Sequence, residues 1–144
     1  MFLGEHEHTI DEKNRLTLPA RFRAAFAGGL VLTRGMERCL NAYPKDDWQR
    51  LADSRIAPLD PFSRDGRKLQ RFYLAGASEA EPDRQGRIMV PAPLLQHAGL
   101  EREIVVVGVY DRLEIWNRDA WQEHLREIEG SAEDVAESLA TKRD

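Results

Sequence analysis

A chain of 144 residues, 42% of them hydrophobic, is long enough to bury one continuous core, and a single cysteine, Cys39, excludes an internal disulfide framework. No apolar run approaches the roughly 20 residues of a membrane helix, and the Met1–Glu5 segment lacks the pattern of a secretory signal, so we expect a cytoplasmic protein. The net charge of -4 disfavours a nucleic-acid partner unless basic residues gather on one face, because phosphate neutralisation supplies most non-specific affinity.

The first motif is a polar loop that leads into a strand. Residues 11–20 read Asp-Glu-Lys-Asn-Arg-Leu-Thr-Leu-Pro-Ala. In this stretch Leu16 and Leu18 alternate with Arg15 and Thr17, which is typical of a strand with one buried face. A strand is therefore predicted to leave the loop at Arg15.

A short helix and two buried strands are predicted to follow this strand. Pro19 suits the first turn of the helix, and Gly28 ends it. The apolar runs 30–33 and 40–43 predict the two strands. The segment around Trp48 has a helical pattern, and we expect it to pack on the outside of the sheet or on a neighbouring subunit.

The middle of the chain separates two halves. Residues 57–63 read Ala-Pro-Leu-Asp-Pro-Phe-Ser, which predicts a turn-rich joint. Residues 64–71 then contain four basic side chains. These can face either a phosphate or solvent, and the sequence leaves both alternatives open.

The second half of the chain repeats the first. Residues 83–92 read Asp-Arg-Gln-Gly-Arg-Ile-Met-Val-Pro-Ala and match residues 11–20 at an offset of 72 residues. After a one-residue slip the match resumes at an offset of 73, for example between Tyr43 and Trp116. The chain is therefore predicted to be a duplicated unit of about seventy residues, each built as strand, helix, strand, strand.

Two such units are expected to form one closed, pseudo-symmetric β-barrel with short helices. Half a barrel exposes its edge strands, and a second copy in the same chain can pair with them. We place the first unit at residues 5–47 and the second at residues 77–120. An acidic helical tail is expected at residues 121–144.

The tail concentrates the negative charge of the chain. From Asp119 to Asp144 there are eight acids and three bases, a balance of -5, so residues 1–118 carry +1. Ser131 resembles an N-cap, which predicts a separate last amphipathic helix that runs to Leu139. The nearly neutral body can bind DNA only if its arginines share a face or if several copies act together.

The chain resembles the MraZ family from Met1 to about Trp121. The residues that carry the resemblance are two Asp-x-x-x-Arg motifs at this spacing, each followed by Leu or Ile and then Pro, with Gly76-Ala-Ser-Glu, Gln96-His-Ala-Gly-Leu and Leu113-Glu-Ile-Trp. The resemblance implies a swapped-hairpin, double-psi-like barrel of the SpoVT/AbrB and MazE type, with two units per chain. It also implies a ring-shaped homo-oligomer, an octamer.

The resemblance further implies a DNA-binding transcription regulator. Such a protein binds short direct repeats in the promoter of the division and cell-wall gene cluster, which includes its own gene. It is expected in the cytoplasm and at the nucleoid.

Carried over by position, the two motifs fall on Asp11 with Arg15 and on Asp83 with Arg87. The planar guanidinium of arginine can bind guanine O6 and N7 together, so both arginines are base-contact candidates. Each aspartate can accept a hydrogen bond from its arginine and orient it. The alternative is that each pair is an ordinary ion pair that stabilises a turn.

Further basic residues near the motifs are candidates for phosphate contacts. Lys13 lies in the first loop and Arg84 in the second, while Arg21 and Arg23 can extend the basic face. One position departs from the family pattern, because Asn14 stands where the family usually has glycine. Asparagine tolerates the left-handed backbone conformation better than most residues, so the turn is expected to form.

Other functions are disfavoured by the sequence. His6 and His8 supply only half of a tetrahedral metal site, and no nucleophile elbow or phosphate-binding glycine loop indicates an enzyme. No metal, cofactor or small-molecule substrate is therefore expected. The stronger alternative is a module whose acidic tail captures a partner protein, as MazE-type antitoxins do, although two complete units and a helical tail speak against it.

Overall fold

The computed structural model describes residues 1–142, which form a mainly β structure. Its strands are β1 (Phe2–Thr9), β2 (Arg15–Thr17), β3 (Leu30–Arg34), β4 (Leu40–Pro44), β5 (Ser78–Ala80), β6 (Arg87–Met89), β7 (Glu103–Tyr110) and β8 (Arg112–Asn117). Its α-helices are α1 (Lys45–Leu51), α2 (Arg64–Gln70), α3 (Ala92–Ala98) and α4 (Arg118–Lys142). Segments Ala20–Phe26 and Met36–Arg38 are 3-10 helical, and Ala52–Ile56 and Arg71–Ala75 are π-helical.

The strands form two sheets that both reflect the internal repeat. The larger sheet has the order β1-β7-β8-β4-β3-β5, and β2 pairs with β6 in a separate antiparallel ladder. The repeat relates β1 to β5, β3 to β7 and β4 to β8. When each strand of the larger sheet is replaced by its equivalent, the result is the same strand order read from the opposite edge. The chain therefore has a pseudo-two-fold axis between β4 and β8.

The two units exchange their first strands. Strand β1 of the first half pairs with β7 of the second half, from Phe2 opposite Tyr110 to Thr9 opposite Glu103. Strand β5 of the second half pairs with β3 of the first half. The prediction of a mainly β fold built from two repeated units is confirmed. The larger sheet is open, with β1 and β5 at its edges.

The β2–β6 ladder covers the inner face of the larger sheet. Its inward side chains are Leu16 and Leu18 and, at the equivalent positions, Ile88 and Val90, all at most 2% exposed. They share one core with buried side chains of the sheet and of the two short helical segments: Phe22, Phe26, Leu30, Leu32, Leu40, Leu94, Ala98, Ile104, Val106, Leu113 and Ile115. The two Asp-x-x-x-Arg loops lead directly into the strands of this ladder, so both loops are anchored to the core.

The outer face of the sheet carries one aromatic cluster in each half. In the first half, Val31, Tyr43 and Trp48 are covered by residues of the segment between the units, among them Ile56 and Leu59. In the second half, the cluster consists of Cys39, Val105, Val107, Trp116 and Trp121. The three tryptophans are thus core residues.

Two details of the structure differ from the sequence predictions. Residues 118–142 form one continuous helix, and residues 143–144 of the predicted tail lie outside the described part of the chain. Ser131 does not cap a new helix, because its hydroxyl donates to the carbonyl of Glu127 at 2.7 Å. Strand β5 was not predicted from the sequence, because only three residues pair there. The short helix predicted after Pro19 is present at Ala20–Phe26 and has 3-10 geometry. None of the helices in residues 1–142 is long and apolar enough to cross a membrane.

Candidate functional site

The first Asp-x-x-x-Arg motif forms a closed loop built around one carboxylate. Oδ1 of Asp11 accepts hydrogen bonds from the backbone N–H groups of Lys13 and Arg15, each at 2.9 Å. Oδ2 accepts a hydrogen bond from Nε of Arg15 at 2.8 Å. The backbone N–H of Asp11 donates to the carbonyl of Arg15 at 3.0 Å and closes the loop.

The second motif repeats this arrangement. Oδ1 of Asp83 accepts from the backbone N–H groups of Gln85 and Arg87, each at 2.9 Å, and Oδ2 accepts from Nε of Arg87 at 2.8 Å. The N–H of Asp83 donates to the carbonyl of Arg87 at 3.0 Å. The two loops therefore present their arginines with the same geometry.

The loop carboxylates are ionised at neutral pH. The backbone N–H of Arg15 lowers the pKa of Asp11, and the side chain of Arg15 and the N–H of Lys13 lower it further. Arg87 and Gln85 act in the same way on Asp83. Because these pKa values lie below the ordinary value, the contribution of the carboxylates to loop order is present at neutral pH and is lost as the pH falls through the depressed pKa.

Each arginine keeps part of its hydrogen-bonding capacity free. The side chains of Arg15 and Arg87 are 28% and 29% exposed. Only Nε of each guanidinium contacts the aspartate, and within residues 1–142 the Nη1 and Nη2 atoms donate to no protein acceptor. Nε is thus used to hold the guanidinium in place, while the terminal nitrogens remain available to a ligand.

The two arginines lie on one surface. In the ladder, Arg15 is opposite Met89 and Thr17 is opposite Arg87, with the buried pair Leu16 and Ile88 between them. Because alternate residues of a strand point to opposite faces, these four side chains face outward together. Diagonal neighbours in such a ladder have Cα atoms about 7–8 Å apart. The structure therefore brings together two arginines that are 72 positions apart in the sequence.

The backbone of each loop also holds the opposite strand. Asn14 and Gly86 occupy equivalent positions with φ of 60° and 77°. The carbonyl of Asn14 accepts from the N–H of Val90 at 2.9 Å, and that of Gly86 accepts from the N–H of Leu18 at 2.8 Å. The expected left-handed conformation of Asn14 is confirmed.

Replacing Asn14 with glycine is expected to preserve the fold and to leave stability equal or slightly higher, by up to about 1 kcal/mol, since glycine adopts positive φ without a steric penalty. Chemical denaturation would measure the free energy of unfolding. Gly86→Ala is the matched comparison and should be destabilising, because a φ of 77° is strained for alanine and an added Cβ would also collide with the side chain of Arg23. Equal losses of stability in both variants would contradict this explanation.

The other basic candidates surround the two loops. Lys13 and Arg84 are exposed within the loops themselves, and Arg21 and Arg23 are exposed on the 3-10 segment. Nε of Arg23 donates to the carbonyl of Leu18 at 3.1 Å, and the side chain lies over Gly86. Arg23 therefore extends the basic surface next to the second loop, a placement that the sequence did not show.

Two outward neighbours of the arginines were not singled out in the sequence. Thr17 is half-buried and Met89 is 61% exposed, and both lie on the arginine face of the ladder. The alternation of inward and outward residues along β2 and along β6 could have identified them. We define the loop face as the two loops with the outward side chains of the ladder, namely Asp11, Lys13, Arg15, Thr17, Asp83, Arg84, Arg87 and Met89.

The two histidines of β1 are not among the residues of the loop face. His6 and His8 are half-buried, and the His6 ring contacts Phe22 edge to face at 5.2 Å between centroids. Burial lowers the pKa of His8. Within residues 1–142, no group of three or more His, Cys, Asp or Glu side chains is placed to hold a metal ion.

Comparison with known proteins identifies relatives along almost the whole chain. A family described as "MraZ protein, putative antitoxin-like" matches residues 1–72 and again residues 73–143. Proteins named Transcriptional regulator MraZ from Heliobacterium modesticaldum and Moorella thermoacetica are each 46% identical over 140 residues, covering 96% of this chain and 96% of the relative. The protein of the same name from Pelotomaculum thermopropionicum is 45% identical, covering 96% and 95%. The shared name is that of a regulator rather than an enzyme.

Proposed function

Because this chain belongs to the MraZ family, we propose that it is a transcriptional regulator that binds promoter DNA through its loop face. The observation that carries this proposal is the equivalent presentation of Arg15 and Arg87, side by side and with free Nη atoms. The proposed target is the promoter of the division and cell-wall gene cluster, which includes the protein's own gene. The proposed place of action is the nucleoid in the cytoplasm.

The geometry favours a binding role over an ordinary ion pair. The backbone N–H groups of each loop already bind Oδ1 of the aspartate, so the turn is closed without the guanidinium. The aspartate then fixes the direction of the arginine through Nε alone. A fixed guanidinium with free Nη atoms suits bidentate binding of guanine O6 and N7 in the major groove.

The charge of the chain favours several copies acting together. Residues 1–118 carry only +1, and each chain offers two base-contact arginines. Two bidentate contacts at roughly 1–3 kcal/mol each fall short of the roughly 4–10 kcal/mol that separates specific from non-specific sites. A ring-shaped homo-oligomer would place successive loop faces side by side, so that later contacts become intramolecular.

Lys13 and Arg84 are proposed as phosphate-binding residues. Lys13→Ala is expected to weaken binding to all DNA sequences about equally and to reduce the slope of log affinity against log salt concentration by about 0.9 for each phosphate that is no longer neutralised. Fluorescence anisotropy titrations between about 50 and 200 mM salt would measure this slope. A slope equal to that of the wild type would remove Lys13 from the interface.

The spacing of the operator tests the multivalent part of the proposed function. Loop faces on one side of the duplex meet equivalent groove positions once per helical turn, so the operator is expected to contain direct repeats about 10 base pairs apart. Inserting about 5 base pairs between two repeats should reduce affinity far more than inserting about 10. Mobility-shift titrations of the promoter fragment and its two insertion variants would measure the difference. Equal tolerance of both insertions would overturn the multivalent model.

A further inference from the structure

Helix α4 carries an apolar stripe that its own chain leaves uncovered. The stripe consists of side chains spaced alternately four and three residues apart: Trp121, Leu125, Ile128, Ala132, Val135 and Leu139. Trp121 and Leu125 pack on the outer face of the sheet. Further along, Ile128, Val135 and Leu139 are 41%, 52% and 59% exposed. This spacing is typical of a seam between packed helices.

The first half of the chain shows how the equivalent surface is covered. Trp48 of α1 corresponds to Trp121 of α4, and beyond Trp48 the chain turns back, so that Leu59 and Tyr73 pack over the cluster. Helix α4 instead continues straight to Lys142, and every residue from 126 to 142 is exposed. The second half therefore presents the same kind of helix without the covering segment.

The exposed part of α4 is only weakly stabilised as a helix by its own residues. Helices of about this length are marginal in water without packing of an apolar face. Gly130 lies in the middle of the exposed part, and a glycine there weakens a helix. A partner that covers the stripe would supply the missing stabilisation.

A basic surface with exposed apolar side chains lies on the segment between the units. Residues 62–74, named here the linker face, expose Phe62, Leu69 and Leu74 at 92%, 37% and 44%. The linker face also carries one acidic side chain, Asp65, and four basic side chains: Arg64, Arg67, Lys68 and Arg71. Within residues 1–142, none of the four basic side chains forms an ion pair.

The two surfaces are complementary in charge. By helical geometry, Glu129 and Glu133 flank the α4 stripe on one side, and Glu127 flanks it on the other. Glu129 and Glu133 form no ion pair among the described residues. The exposed part of α4, residues 126–142, carries five acidic and two basic side chains, so pairing with a second α4 would bring like net charges together, whereas contact with the linker face would bring opposite net charges together.

We propose that α4 of one copy of this chain docks through its apolar stripe on the linker face of a neighbouring copy. The proposal rests on the homo-oligomer of the proposed function and assigns the surfaces that join it. The contact links two different surfaces, so it is heterologous and can repeat around a closed ring. In this contact, the basic side chains of segment 64–71 face carboxylates rather than phosphate or solvent.

Charge reversal on either surface tests the contact. Full-length Glu129→Lys/Glu133→Lys and Arg67→Glu/Lys68→Glu are each expected to reduce the mass of the assembly by at least half, as measured by light scattering at a fixed protein concentration. Combining the four substitutions restores opposite charges and should restore the wild-type mass. Glu123→Lys/Glu137→Lys makes the same charge change on the opposite face of α4 and should leave the mass unchanged.

Several results would overturn the proposal. A monomeric wild-type protein, wild-type mass in both reversal variants, or failure of the combined variant to reassemble would each exclude the contact. Anisotropy with promoter DNA, measured on the wild-type protein, reports the proposed function separately. Assembly as expected without specific DNA binding would reject the DNA-binding role and keep the contact.

Chemical crosslinking identifies which surfaces meet. Val135→Cys and Leu69→Cys each add one exposed thiol, while Cys39 is 2% exposed and burial raises its pKa to about 12. A bis-maleimide should crosslink a mixture of the two variants and neither variant alone. Crosslinking of Val135→Cys with itself would indicate symmetric pairing of α4 and overturn the proposal. The absence of crosslinks in the mixture would also overturn it.

Discussion

Arg15→Ala and Arg87→Ala are each expected to abolish or greatly weaken specific promoter binding while the fold and the assembly persist. A single bidentate arginine–guanine pair provides roughly 1–3 kcal/mol of discrimination, or about 5- to 150-fold in affinity. The effect multiplies over the copies that bind one operator. Each arginine is partly exposed and its turn is closed by the backbone, so folding does not depend on the guanidinium. Mobility-shift titration of the promoter fragment would measure the affinity.

Two control variants separate the charge of these arginines from their shape. Arg15→Lys keeps the positive charge and removes the planar fork, so it should retain binding to random DNA and lose specificity. Arg55→Ala removes an equal charge from an exposed position away from the loop face and should keep specific affinity. An Arg15→Ala or Arg87→Ala protein with wild-type affinity would identify that arginine as a structural residue.

Leu16→Ala and Ile88→Ala are expected to produce the largest loss of stability among single substitutions in the ladder. The two residues face each other across the pseudo-two-fold axis and are 0% and 2% exposed. Truncating a buried leucine or isoleucine to alanine costs about 2–5 kcal/mol through reduced burial and the cavity that remains. Denaturant unfolding at one fixed protein concentration would measure the change, because assembly contributes to apparent stability.

The outward face of the same strands supplies the control for this effect. Met89 is next to Ile88 but 61% exposed, so Met89→Ala should change the free energy of unfolding by no more than about 0.5 kcal/mol. Because both loops are attached to the ladder, the Leu16 and Ile88 variants should also bind DNA less well near their unfolding midpoints. A small effect at Leu16 or Ile88 would contradict the position of the ladder over the core.

The pairing of each Asp with its Arg was predictable from the sequence. Within one loop, a spacing of four residues across a tight turn nearly fixes the contact, so the motif specifies both the turn and the ion pair. The duplicated motif also predicted that the arrangement occurs twice. The same holds for the buried strands, because the alternation around Leu16 and Ile88 and the apolar runs in β3 and β7 reflect burial on one or both faces.

The amino-acid sequence by itself thus determined the repeat, the strands and the chemistry of the loops, because these depend on residues close together in the chain. Tertiary structure alone decided the exchange of β1 and β5 between the units, the position of Arg15 beside Arg87, and the packing of Arg23 over Gly86. It also decided that α1 is covered while α4 is exposed, although both follow equivalent strands. These features depend on contacts between residues far apart in the chain, which local periodicity does not encode.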